Sequence, residues 1–190
     1  MKNIVGAIDG SFIKVASACV PPQQKVRHVN RKGFMSLILQ AVVDSNRQFR
    51  DIDIRTPGSQ GDWNAFRASP LCLLHSKGRN CLPPNKMLLA DSGYFTHPIL
   101  LTPYSRQQKY TRTQTNFNFL HSRGRVAVED SFGILKERFA RLHESNSLML
   151  PANMIPKVVL VACILHNLLR RESDFMTQWR NSSPAVARSR

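Results

Sequence analysis

Carboxylates are scarce in this chain. Its 190 residues include 12 Asp and Glu against 27 Lys and Arg, a formal charge of +15. A surplus of that size points to a polyanionic partner, nucleic acid first among them. No apolar run reaches the roughly 18 residues that a helix crossing a bilayer needs, so no membrane role is expected. The apolar stretch at 3–8 is too short to serve as the core of a signal peptide. Cys19, Cys72, Cys81 and Cys163 show neither C-x-x-C spacing nor a clustered histidine, which argues against a zinc site or a disulfide framework. They read as buried or free thiols. A G-x-S-x-G elbow, a P-loop and a G-x-G-x-x-G turn are all absent, removing the usual serine hydrolase, nucleotide and dinucleotide readings. Aromatics make up 8% of residues and are rarely interleaved with the basic ones. Contact with a phosphate backbone is therefore expected before base stacking.

What is present reads as one folded domain. The hydrophobic fraction is 42%, ordinary for a core of this size. Residues 4–8 form an apolar strand ending at Asp9-Gly10, and 13–18 resume it after a turn. Residues 34–43 make a second strand that stops at Asp44-Ser45-Asn46. Phe49, Ile52 and Ile54 mark a third that stops at Pro57-Gly58, completing an antiparallel meander. A helix runs from Asp62, its candidate N-cap, to about residue 74. Short strands follow at 86–90 and 99–101. Over 116–143, Val128, Phe132, Leu135, Phe139 and Leu142 recur at helical spacing and draw one apolar stripe. A last helix spans 154–171 with Val158, Val161, Ala162, Leu165 and Leu169 on its apolar side, and residues 173–190 read as a disordered basic tail. Strands followed by alternating strands and helices imply an α/β fold, a mixed sheet with flanking helices, of which the ribonuclease-H-like fold is one case.

Against the basic background, three carboxylates occupy telling places. Asp9 and Asp91 follow apolar strand runs directly, and ligands collect outside the carboxyl ends of strands. Glu129 lies beside the stripe of the long helix. Converging carboxylates repel one another unless a cation joins them, so in a basic protein their grouping makes sense as a site for a hard divalent ion. Two such ions can activate an attacking oxygen and stabilise a leaving one at phosphorus. Each residue also has a plainer reading. Asp9-Gly10 and Asp91-Ser92-Gly93 could be turns, Glu129 could pair with Arg125 one helical turn away, and Asp62 could be a cap. Basic residues cluster at Lys25 to Lys32, at Lys77 and Arg79, at Arg106 to Arg112, and at Arg123 to Arg141. Of these, Arg125, Lys136 and Arg138 flank Glu129 and could steer a DNA backbone. His166, on an apolar helix, reads as a core histidine.

Six segments together resemble Harbinger-type (PIF/Harbinger) transposases and the nucleases derived from them. They are Ala-Ile-Asp-Gly-Ser-Phe-Ile from Ala7, Val-Asn-Arg-Lys-Gly-Phe-Met-Ser-Leu from Val29 with Gln-Ala-Val-Val-Asp from Gln40, Pro-Gly-Ser-Gln-Gly-Asp from Pro57, Ala-Asp-Ser-Gly-Tyr from Ala90, Arg-x-x-x-Glu-Asp-Ser-Phe-Gly-Ile-Leu-Lys-Glu-Arg-Phe from Arg125, and Cys-Ile-Leu-His-Asn from Cys163. They occur in the family's order across about residues 4–170.

The resemblance implies a DDE-type endonuclease domain over residues 1–172, of ribonuclease-H-like fold. It implies a divalent cation, Mg2+ or Mn2+, with Asp9, Asp91 and Glu129 as catalytic ligands and Asp62 as a further metal ligand. It also implies DNA as substrate, a Myb-like DNA-binding partner, and residence in the nucleus, with the cytoplasm also open. Two features depart from the family. Eight residues precede Asp9 where the family carries a long N-terminal region, which suggests a short form without full transposase activity. Trp63 stands where a smaller residue is usual, beside Asp62. The alternative expectation is a catalytically idle, domesticated module that binds DNA or protein and keeps its acids as a relic.

Overall fold

The computed structural model describes residues 3–79, 81–104 and 109–182, with side chains to residue 172. Arg106 and residues 183–190 lie outside these.

Five strands form one sheet in the order β3-β2-β1-β4-β5. The strands are β1 (Ile4–Lys14), β2 (Ser36–Val43), β3 (Phe49–Pro57), β4 (Met87–Leu89) and β5 (Leu100–Leu101). The first three are antiparallel neighbours, whereas β4 lies parallel to β1 and β5 parallel to β4. This mixed sheet with helices on both faces is the ribonuclease-H-like arrangement expected from the sequence.

Helices α2 (Gly61–Ala68) and α3 (Pro70–Ser76) cover one face, and α4 (Arg112–Arg138) and α5 (Ile155–Ser182) the other; α1 (Lys25–His28) is a single turn in the β1–β2 connection. Strand alternation gives each face its own core. Ala7, Ile13, Leu39, Ala41 and Val43 pack with Val128, Phe132 and Leu135 of α4 and with Ile155, Val159 and Ala162 of α5. Ile8, Val42 and Leu88 pack with Phe66, Leu71 and Tyr94 on the opposite side.

Four local expectations are corrected. First, β1 does not stop at Asp9. It runs unbroken through Asp9-Gly10 because β2 pairs with it from Ala7 to Lys14. Second, the helix expected from Asp62 is two helices. Ser69 breaks it by capping α3, its hydroxyl accepting from Cys72 N, with Pro70 in the first turn. Asp62 is not the cap of α2, whose N-cap is Gln60. Third, α4 starts earlier than residue 116, because Thr111 and Gln114 form a reciprocal capping box.

The fourth correction concerns α5. Its buried side is Ile155, Val159, Ala162, Cys163 and His166, while Val161, Leu165 and Leu169 are half-exposed. From Val158 to Leu169 nearly every residue is apolar, so periodicity alone could not choose the face. Polar groups chose it. Asn167 accepts from Phe49 N and donates to Phe49 O, each at 2.8 Å, and His166 donates from Nε2 to Arg47 O at 2.9 Å. These bonds satisfy the start of β3, an edge strand with free backbone groups. The same helix continues to Ser182, so residues 173–182 are helical rather than disordered; no Gly or Pro interrupts them.

Candidate metal centre

Asp9 lies midway along β1, at the point where β4 has ended. The last paired rung between these parallel strands is Ala7 with Leu89, so Asp9 and Asp91 stand level, two residues further on. Asp91 follows β4 and closes a turn, its Oδ1 accepting from Gly93 N at 2.8 Å. The plainer turn reading therefore holds for Asp91, and the turn is what fixes its carboxylate beside the open edge of β1.

Asp62 arrives from the other face. Gly10, the residue after Asp9, pairs with Gln40 and points toward α2. A Cβ at Gly10 would run into the carboxyl of Asp62 and stand 3.2 Å from Ile38 Cγ2. Only glycine there leaves room for α2 to lay this carboxylate on the strand. A similar close approach holds α4 against the sheet, since a Cβ on Gly124 would strike Leu89 Cδ1.

From α4, Arg125 reaches both acids that face it. Its Nη2 donates to Asp9 Oδ2 at 3.1 Å and lies 3.2 Å from Glu129 Oε1. The Arg125 and Asp9 side chains are 16% and 17% exposed, whereas Glu129 is 56% exposed. The helical pair expected for Glu129 is thus present, and a carboxylate from β1 completes a bridge across the elements.

The charges of Asp9, Asp62 and Asp91 act on one another. Burial pushes the Asp9 carboxyl up to about 6; the Gly10 amide and Arg125 oppose this, and the charges of Asp91 and Asp62 add to it. Asp62 is also raised, first by burial and then by Asp91, with Arg31 and Arg125 acting against it. Tyr94 is raised well above its ordinary value by burial and by Asp62, Asp9 and Asp91 together. Among the described residues, no three carboxylates, imidazoles or thiols stand close enough to hold one ion as the side chains are arranged.

The residues nevertheless suit a hard divalent cation. Every acid in the group offers oxygen, the donor such ions take. Tyr94 Oη and Arg125 Nε are buried and have no hydrogen-bond partner among the described residues, and the same holds for Oε1 of Gln40, the residue opposite Gly10. Buried polar atoms without partners are uncommon, and three around one acidic group signal a site whose polar contacts are incomplete.

The basic residues expected to steer a phosphate backbone fall in three different settings. Arg125 is internal. Lys136 is largely buried and pairs with Glu144 at 3.5 Å, the same carboxylate that binds Lys32 at 2.8 Å. Arg138 is exposed, and its charge acts on His166 over α5. Sequence reasoning did not single out Tyr94, although it closes the Ala-Asp-Ser-Gly-Tyr segment, nor Arg31, whose positive charge acts on Asp62. Trp63, beside Asp62, stacks edge-on with exposed Phe95 at 5.2 Å between ring centres. Trp63 is accommodated by that pairing and by the Phe66 ring.

Known proteins give the arrangement a lineage. A family model described as DDE superfamily endonuclease matches residues 8–167. "Protein ALP1-like" of Arabidopsis thaliana is 34% identical over 180 residues, which is 89% of this chain and 43% of that protein. "Putative nuclease HARBI1" of Rattus norvegicus is 28% identical over 169 residues, covering 88% and 46%, and its Homo sapiens counterpart is 27% identical with the same coverage. The chain thus spans less than half the length of these relatives. No solved structure matches it significantly. With the family match running over residues 8–167, through Asp9, Asp62, Asp91 and Glu129, and with a mixed sheet flanked by helices, this chain belongs to the DDE superfamily endonucleases.

Proposed function

We propose that this domain is a divalent-metal-dependent DNA endonuclease of transposase origin, without full transposase activity. The observation carrying this reading is the placement of the acids: the Asp62 carboxyl lies against Gly10 beside Asp9, Asp91 stands level with Asp9 beyond the Ala7–Leu89 rung, and Glu129 is joined to Asp9 through Arg125. Asp9, Asp91 and Glu129 would hold Mg2+ or Mn2+, and Asp62 would assist from the opposite face. When bound, such ions supply activation of an attacking oxygen and stabilisation of a leaving oxygen at phosphorus. The chain's own residues do the rest. Gly10 admits Asp62, the Asp91 turn fixes its carboxylate, and the neutral phenol of Tyr94 offers a hydrogen-bond donor to the acids. Arg31 and Arg125 provide positive charge beside them for a phosphate backbone. The +15 charge favours DNA as the polyanion. A Myb-like DNA-binding partner and a nuclear location belong to this same reading.

Supercoiled plasmid incubated with Mg2+ or Mn2+ is expected to be cut by the wild type, but not in chelator and not by Asp91→Asn or Glu129→Gln. Metal-dependent cutting that persists in both variants would remove these residues from the site.

One observation favours a second reading, a catalytically idle DNA- or protein-binding module. Arg125 already supplies the acids with a positive charge, so the group can stand without any ion. An idle module binds DNA equally well in chelator and in magnesium and cuts in neither.

A further inference from the structure

Helix α5 carries apolar residues on both of its sides, and the fold uses one. Leu160, Val161, Ile164, Leu165, Leu168 and Leu169 are between 42% and 53% exposed. Their spacing of one, three, one, three and one places them in two adjacent columns along the outer face. Contiguous exposed apolar surface of this kind marks an interaction site.

The order of residues along the stripe identifies what covers it. Exposed Lys157 stands at one end and exposed Glu172 at the other. Reversed about the point between Ile164 and Leu165, the pattern maps onto itself: Ile164 on Leu165, Val161 on Leu168, Leu160 on Leu169, and Lys157 on Glu172. A surface that is its own complement after reversal is what a two-fold, isologous contact requires. A parallel pair would set lysine against lysine and glutamate against glutamate, which charge repulsion disfavours. The antiparallel pair gives each charge an opposite partner at the rim and leaves the apolar columns facing each other.

We propose that a second copy of this chain docks antiparallel along the outer face of α5, about a two-fold axis between Ile164 and Leu165. Lys157 meets Glu172 of the partner subunit at each end. The contact lies on the layer that packs on β3, away from the acids at the β1–β4 edge, so it stands or falls independently of the nuclease reading.

The test is sedimentation of the full chain in low salt from about 1 to about 100 µM, a range that brackets micromolar association. A dimer is expected. Ile164→Glu should raise its dissociation constant about 30-fold or more, since a charge at the centre of an apolar contact removes its anchor. Thermal stability and circular dichroism of that variant should stay near wild type. Lys157→Glu and Glu172→Lys should each weaken the dimer about tenfold, and the double exchange should restore it. These two positions are exposed, so their variants decide the matter even if Ile164→Glu unfolds. A chain monomeric throughout the range, or a dimer indifferent to Ile164→Glu and to both single exchanges, overturns the proposal. A double exchange that fails to restore association overturns the antiparallel register.

Discussion

Asp9 and Arg125 lie 116 residues apart in sequence and 3.1 Å apart in the folded chain, guanidinium to carboxylate. The same nitrogen of Arg125 lies 3.2 Å from Glu129, so one side chain ties the central strand to the long helix through two of the three acids proposed as catalytic. Arg125 is thus the cation that both carboxylates share. On the proposed reading, a divalent ion at Asp9 and Glu129 would have to compete with this guanidinium for their oxygens.

Arg125→Met should therefore act in opposite directions on stability and on metal binding. In chelator the variant should be about 1–3 kcal/mol less stable, since Asp9 keeps its burial and loses a charged partner. Manganese, followed by titration calorimetry or by its paramagnetic resonance, should bind about threefold tighter or better once the competing charge is gone. Equal manganese affinity in the two proteins would show that Arg125 does not compete for these oxygens.

The raised Asp9 carboxyl gives a pH prediction whose sign follows from linkage. Its value of about 6 in the folded chain exceeds the ordinary carboxyl value of 3.8, so between those limits the folded state holds more protons and stability falls as pH rises. The loss is complete above about pH 6 and corresponds to about 3 kcal/mol at most. In chelator, Asp9→Asn should thus be more stable than wild type at pH 7.5, with the difference vanishing below about pH 4. Saturating magnesium should reverse the order by stabilising the wild type alone. Urea titrations across pH, with and without magnesium, measure both effects; a pH-independent difference would refute the burial argument.

Gly10→Ala tests how the second acid is admitted. The new methyl would displace the Asp62 carboxyl or press on Ile38 Cγ2. A loss of about 1–3 kcal/mol is expected from overpacking. The magnesium-induced rise in melting temperature should shrink as well, which simple destabilisation would not produce. Gly133→Ala is the control, because its Cβ would enter open space on the surface of α4.

Much of this was legible in the chain. The meander, the short fourth and fifth strands and the stripe through Val128, Phe132 and Leu135 follow from periodicity, because these elements have a wet face and a dry one. The buried side of α5 was not legible, since apolar residues surround that helix and polar bonds from His166 and Asn167 to β3 orient it. Asp9 looked like the end of a strand because Asp-Gly is a turn signal, but pairing with β2 carries β1 past it. The acids were singled out as candidates through their placement and family motifs. Their bridge through Arg125 was not, because local reading offered Arg125 a neighbour on its own helix and could not supply Asp9 from across the fold.

Lys136 is engaged by Glu144 within the fold, although its place on α4 suggested a DNA contact. Spacing from Glu129 suggested a phosphate ligand, but its side chain is 11% exposed and Glu144 lies 3.5 Å away, shared with Lys32. Burial lowers the Lys136 ammonium from its usual value while Glu144 pulls it back up, the signature of a desolvated charge kept by its partner. Glu144→Gln should then cost about 2 kcal/mol by leaving a buried lysine unpaired, whereas Lys136→Met, an apolar chain of similar length, should fall within about 1 kcal/mol of wild type. A phosphate contact would make the opposite demand on binding: its loss lowers the slope of log affinity against log salt by about 1. We expect the slope for a DNA duplex to be unchanged in Lys136→Met. A shallower slope would place Lys136 on the DNA after all, with the Glu144 pair opening as the backbone docks.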